Sequence, residues 1–260
     1  MKIFTLLKDS MTSAAMMAGL FPVSPTQQAI LRSQREQARQ VLCRAGVAGF
    51  KAENSAKWVN VKRDWQGKLY VQIEHDTVRG CTPAMIRWWF ENLGQKTTWD
   101  GQGFNGAEIA FYHLWHHRDH VAVTPLNGSH HGFAVGKKTR IQEQFNDHHE
   151  RISVEVVTDR LDDEEFTFTV YIMGIKVCRI VHLYSSEAEG SRFYAETEVG
   201  FDLPVIGWLL NWFVLPFIYS KTTAEHWIRH NIEETGASEG IIPPLYHHYL
   251  GNRPTTEILP

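Results

Sequence analysis

Cysteine is scarce in this chain. Cys43, Cys81 and Cys178 are the only three. They are widely spaced and form no CxxC, which argues against a disulfide framework and fits a reducing, cytoplasmic setting. Charge of one sign is also lacking. Lys and Arg number 26 and Asp and Glu 29, leaving −3 with His neutral. No Lys/Arg stripe stands out, so the footprint expected of a nucleic-acid binder is missing. Long apolar runs are absent as well. Met1 to Asp9 is interrupted by Lys8 and Asp9, unlike a cleaved signal. Leu203 to Tyr219 reads LPVIGWLLNWFVLPFIY. It is split by Asn211 and Pro216 and falls short of the ~20 apolar residues of a membrane span. A buried core helix or a pocket lid is expected there, not membrane contact. No internal repeat or low-complexity tract is present.

What remains is an ordinary globular balance, 43% apolar and 21% charged over 260 residues. That is enough chain for one large domain, with room for a small helical appendage. Three residue types are in excess, with 14 His, 9 Trp and 14 Phe. Many aromatics suit a roomy pocket or a heavy core, and counts do not separate the two.

Ser24-Pro25 offers an N-cap with Pro at the first helical position. Good helix formers follow from Gln27 to Leu42, and Gly46 and Gly49 end them. Residues 1–56 are therefore expected as an N-terminal helical extension, and 57–260 as the main domain. Trp58–Lys62 and Leu69–Ile73 alternate around a Trp65-Gln66-Gly67 turn. Thr82-Pro83 starts a second helix. From Ala110 to Phe201 the pattern is mostly strand, clearest in Arg151–Val156 and Phe166–Val170 and continuing in Lys176–Tyr184 and Ser191–Phe201. One long helix, Ile206 to Thr235, is expected at the end, bent at Pro216 and stopped by Gly236. Strands in sequence with an early helix and a long late one predict an α+β fold. An antiparallel sheet would curve around the C-terminal helix and enclose a cavity.

His230 and Glu234 are four residues apart on that helix, so an imidazole and a carboxylate leave from one face. Both are good zinc ligands. His226, one turn earlier, offers a competing pair. Glu150 has the parity of Ile152, Val154 and Val156 and so points with the apolar side of its strand. There it needs a cation, a hydrogen-bond network, a raised pKa or a metal. His120 opens another strand, near His116 and His117. His130-His131 and His148-His149 are ambiguous by themselves. Taken together, His120, Glu150, His230 and Glu234 make a set of two imidazoles and two carboxylates able to hold Zn²⁺, though iron, manganese and nickel also suit it. Zinc so held brings its bound water toward a pKa of about 7.

At these residues the chain resembles the diacetylphloroglucinol hydrolase family, zinc enzymes that cleave a carbon–carbon bond to release an acetyl group from a phenol. Gly80-Cys81-Thr82-Pro83-Ala84-Met85-Ile86-Arg87-Trp88-Trp89-Phe90 is similar to the family's G-x-T-P-x-M-x-x-W-W-F helix. Tyr112-x-Leu114-Trp115-His116 with His120, and His230-x-x-x-Glu234, are similar to two further segments. The similarity runs in order over residues 68–236. It implies a Bet v 1-like helix-grip fold and a zinc held by His120, Glu150, His230 and Glu234. It also implies that Tyr112 bonds a substrate phenol and that His182 serves proton transfer. Tyr194 would be a second phenol-binding tyrosine. The family's pocket asparagine has no counterpart here. The implied partner is a small aromatic or diketone substrate; a homo-oligomer is compatible with it. Two other functions stay open: a hydrophobic-ligand carrier without chemistry, and a metal-dependent cyclase or retro-aldol lyase.

Overall fold

The computed structural model describes residues 25–47, 49–128, 130–145 and 150–251. Ser24, His148 and His149 lie outside them. Helix α1 (Pro25–Arg44) covers the expected span. It ends in a left-handed Gly46 (φ 72°), which lets the Val47 amide return to the Leu42 carbonyl at 3.0 Å. Ala38, Val41 and Leu42 of α1 are buried in the same cluster as Trp88, Trp89 and Phe111.

The strands are β1 (Trp58–Arg63), β2 (Leu69–Glu74), β3 (Val78–Arg79), β4 (Lys96–Thr97), β5 (Ile109–Ala110), β6 (His120–Leu126), β7 (Lys138–Phe145), β8 (Glu150–Leu161), β9 (Glu165–Ile172), β10 (Ile175–Glu187) and β11 (Gly190–Val199). The main sheet runs β1-β2-β11-β10-β9-β8-β7-β6, with β3 added on β11, and its pairs are antiparallel. β4 and β5 pair separately. Helix α2 (Pro83–Asn92) starts as expected, with Thr82 Oγ1 accepting from the Met85 amide at 3.3 Å. Inside the stretch expected as strand lies a short helix, α3 (Phe111–Trp115), with every residue buried. Uniform burial leaves no alternation by which sequence could reveal it.

The C-terminal region departs from expectation. Instead of one bent helix there are α4 (Gly207–Phe213), α5 (Leu215–Ile218) and α6 (Lys221–Gly251). Ser220 restarts the chain as α6, its Oγ accepting from the Thr223 amide at 3.0 Å. Gly236 does not stop α6. A Cβ there would lie 2.6 Å from the Lys51 amide nitrogen, so this glycine permits close packing rather than ending the helix. In α4 and α5, Gly207, Asn211 and Leu215 face inward, while Trp208, Leu209, Trp212, Phe213 and Phe217 are exposed. The polar Asn211 is inside because its amide bonds both the amide and the carbonyl of Phe201. The segment is therefore partly a cavity wall and not a buried core helix. Among the described residues, no helix is long and apolar enough to cross a membrane.

The long α6 lies against the sheet's inner face, and both line one cavity. This is an α+β helix-grip architecture.

Candidate metal centre and its pocket

The cavity has a volume of about 360 Å³. Phe90, Phe133, Phe166, Phe168, Ile152 and Trp227 supply much of its apolar wall. Glu143, Tyr112, His182, His230 and Glu234 are among its polar lining. His120 sits just behind, fully buried.

Helix α6 carries His230 and Glu234 on one face, and β6 begins at His120. One ligand atom from each of these residues lies within 4.8 Å of the others. His120 Nε2 and His230 Nε2 are each 3.6 Å from Glu234 Oε2. The orientation of each ring is fixed from behind. His120 Nδ1 is 2.7 Å from the Tyr112 carbonyl, which can only accept, so Nδ1 carries the proton and Nε2 presents a lone pair. Tyr112 also stacks on the His120 ring, centroids 3.6 Å apart. His230 Nδ1 donates to Asp119 Oδ2 at 3.1 Å. A histidine whose far nitrogen is held by a carbonyl or carboxylate is the usual arrangement behind a metal ligand.

The expected fourth ligand, Glu150, is elsewhere. It faces the cavity as its strand parity requires, but its Oε1 accepts from His226 Nδ1 at 2.8 Å, one helical turn before His230. The carboxylate beside His120 is Glu143, with Oε1 at 4.0 Å from Nε2. Antiparallel pairing of β6 and β7 sets His120 opposite Glu143. Glu143 shares the inward face of β7 with Thr139, Ile141 and Phe145, and that alternation was the signal for it. Tyr112 Oη donates to Glu143 Oε1 at 2.5 Å, so the tyrosine expected to hold a substrate phenol currently holds a carboxylate.

Tyr194 is also misplaced by the resemblance. On β11 the buried residues are Ser191, Phe193, Ala195, Thr197 and Val199. Tyr194 has the opposite parity, and its hydroxyl donates to Glu196 at 2.7 Å on the outer face. It does not line the cavity. His182 does, among the rings of Phe90, Phe166 and Phe193. Burial lowers its pKa to about 4 and outweighs a bond with the Phe166 backbone. Its Nδ1 has no hydrogen-bond partner among the described residues.

The donor set fits a divalent cation. His120 Nε2 is a buried nitrogen without a hydrogen-bond partner, aimed at two carboxylates. Burial, with the charges of His230 and His116, holds this imidazole well below its ordinary pKa and thus neutral. A lone pair facing carboxylates in a dry site lacks a positive charge between them. The neighbouring groups share out protons among themselves. Burial, together with Glu143 and Asp119, raises Glu234 to about 8 against the pull of His230. Although burial lowers the pKa of His230, the Asp119 bond and the charges of Glu143 and Glu234 bring it to about 9. Asp119 stays anionic: burial would raise it, but the bond from His230 and the charges of His116 and Arg118 hold it at about 2. His116, Asp119 and His230 form a second close group. However, His116 Nδ1 accepts from the Asp119 amide at 3.0 Å and Nε2 meets Glu233 at 3.2 Å, so its nitrogens are committed.

A further chain of bonds supports Glu234. His75 Nε2 donates to Asn231 Oδ1 at 3.0 Å, and Asn231 Nδ2 donates to Glu234 Oε1 at 3.0 Å. Both His75 and Asn231 are buried. Nothing in the sequence signals this pair, because His75 lies just past the end of β2 and shows no spacing with the helix.

No protein-family model matches the sequence, and no curated protein does. Among solved structures the chain is similar to protein Ms6760 from Mycobacterium smegmatis, at 11% identity over 74% of this chain and 99% of that one, with a TM-score of 0.38. It is also similar to the AHSA1-like protein from Aeromonas hydrophila, at 10% identity over 66% and 92%, with a TM-score of 0.36. The di-domain ARO/CYC BexL from the BE-7585A biosynthetic pathway shares 12% identity over 65% of this chain and 51% of that one, with a TM-score of 0.35. Likenesses this distant carry no functional argument.

Proposed function

We propose that this chain is a divalent-metal-dependent hydrolase, with zinc the expected ion. It would cleave the carbon–carbon bond beside a ketone in an acylphenol or β-diketone-like substrate. The observation behind this is the convergence of His120 Nε2, His230 Nε2 and the Glu234 carboxylate, all buried, at the wall of an apolar cavity. His120, His230, Glu234 and Glu143 would hold the ion. When bound, such an ion polarises a ketone as a Lewis acid and acidifies water.

The chain's own residues would do the rest. The apolar walls limit bulk water around the reacting carbon. Burial and the neighbouring Glu143 raise the Tyr112 hydroxyl well above its ordinary pKa, so it stays protonated and donates a hydrogen bond. A phenol or enolate oxygen would compete with Glu143 for that donor. His182 is neutral at rest, so it would accept a proton at Nδ1 as water attacks and return it to the departing ring or enol carbon. Acceptor first, donor second replaces the resident acid that a raised pKa would have supplied.

Elemental analysis of purified protein tests the reading. About one divalent ion per chain is expected, lost together with turnover in His230→Ala, and hydrolysis must yield a carboxylic acid. Full metal occupancy in that variant would contradict the assignment. Because the cavity wall is mostly apolar, a ligand carrier without chemistry is the competing reading. It predicts that a chelator leaves ligand affinity unchanged. A cyclase or retro-aldol lyase would keep the metal but release no acid.

A further inference from the structure

Helix α6 presents Thr223, Trp227, His230, Asn231 and Glu234 to the cavity. This is one stripe, about 16 Å long at ~1.5 Å per residue. Tyr112 and the donor cluster gather toward its Glu234 end. Phe201, Ile218, Tyr219 and Cys178 also line the cavity; Tyr219 lies just before the start of α6, and Glu150 is tied to His226 near that start. A phenol ring with a two-carbon acyl group is shorter than this stripe, so the remainder would be left for another part of the ligand.

That remainder is not uniformly apolar. The Tyr219 hydroxyl is buried and has no hydrogen-bond partner among the described residues. Glu150 Oε2 is in the same condition, while its Oε1 is fixed by His226 at 2.8 Å. Burial, with the charges of Cys178 and Glu150, pushes the Tyr219 hydroxyl above its ordinary pKa, so it remains a donor. Buried polar atoms left unpaired are unfavourable, and both of these residues line the cavity.

We infer that Tyr219 and Glu150 form a second subsite, which receives a neutral, hydroxyl-bearing end of an elongated ligand whose reacting group lies at the donor cluster. A hydroxyl suits the pair because it can accept from Tyr219 and donate to Glu150. A carboxylate end does not, because Glu150 repels it. The inference rests on the cavity being a substrate site and specifies the substrate as an acylphenol or diketone with a long, oxygenated arm.

The test is equilibrium binding, by intrinsic tryptophan fluorescence, of an acetyl phenol, its octanoyl counterpart and its 8-hydroxyoctanoyl counterpart, with and without added zinc. The octanoyl compound is expected to bind at least about tenfold more tightly than the acetyl one. The terminal hydroxyl should add about fivefold. Tyr219→Phe should remove that last gain and leave the acetyl compound's affinity unchanged, with a melting temperature no lower than the parent's, because the deleted hydroxyl is unpaired. Glu150→Gln should restore tolerance of a terminal carboxylate. Equal binding of the acetyl and octanoyl compounds, or a hydroxyl gain that survives Tyr219→Phe, would overturn the subsite. Failure of the metal reading would show instead as absent zinc and turnover, with the chain-length preference intact.

Discussion

Glu143 and Glu150 both line the cavity, yet only Glu143 stands beside His120, so conservative substitutions separate their roles. Glu143→Gln keeps the shape but removes an anionic donor. Its zinc affinity should fall by more than the ~10–100-fold typical of losing a supporting partner. Glu150→Gln should leave zinc affinity unchanged, measured by competition with a chromogenic chelator. Asn231→Ala breaks the relay from His75 to Glu234 while leaving every donor side chain in place, and a loss of about 10–100-fold is expected there. Equal affinities for Glu143→Gln and the parent would remove Glu143 from the site. These residues differ in how legible they were. His230 and Glu234 announce themselves by helical spacing, and His120 by its place at a strand start. Glu143 sits in Lys138–Phe145, where only Ile141 and Phe145 are apolar, so the period-two signal is thin. Tyr194 was readable by the same parity, since Phe193 and Ala195 occupy the inward positions on either side of it.

At the scale of elements, alternating strands were the most readable feature, because a half-buried strand writes its period into the sequence. Breaks in helices were less so. The region from Ile206 onward is apolar on both sides, and nothing in its periodicity separates α4 and α5 from α6. Gly236 shows why composition misleads. Glycine after a periodic run is the usual stop signal, but here the helix continues and the missing side chain makes room for the 49–51 loop. A Cβ at Gly236 would come within 2.6 Å of the Lys51 nitrogen and 2.9 Å of the Gly49 carbonyl. Gly236→Ala should therefore destabilise by about 1–3 kcal/mol despite alanine's better helix propensity. That corresponds to a melting temperature lower by about 2–4 °C per kcal/mol. Gly251→Ala, with open space around it, is the control and should be near neutral. A stabilised Gly236→Ala would mean that the loop can retreat without penalty.

Across the whole molecule, the fold buries several histidines in neutral form, and this sets its response to acid. Burial lowers His75 to about 3 against its bond with Asn231, and lowers His182 to about 4. In the unfolded chain each returns to about 6.5. Between that value and the folded one, the unfolded state binds the proton that the folded state refuses. The contribution is thus fully present above pH ~6.5 and lost progressively as the pH falls toward 4 and then 3. Each histidine contributes a slope of about 1.4 kcal/mol per pH unit within its window. Urea unfolding of the parent and of His182→Leu, from pH 7 to 4.5 with chelator present to remove metal linkage from both, isolates one of them. The parent should lose stability more steeply on acidification, by about that slope. Parallel curves would place His182 in a wetter environment than a cage of phenylalanines, with a folded-state pKa close to that of the unfolded chain and no acid-sensitive contribution to stability.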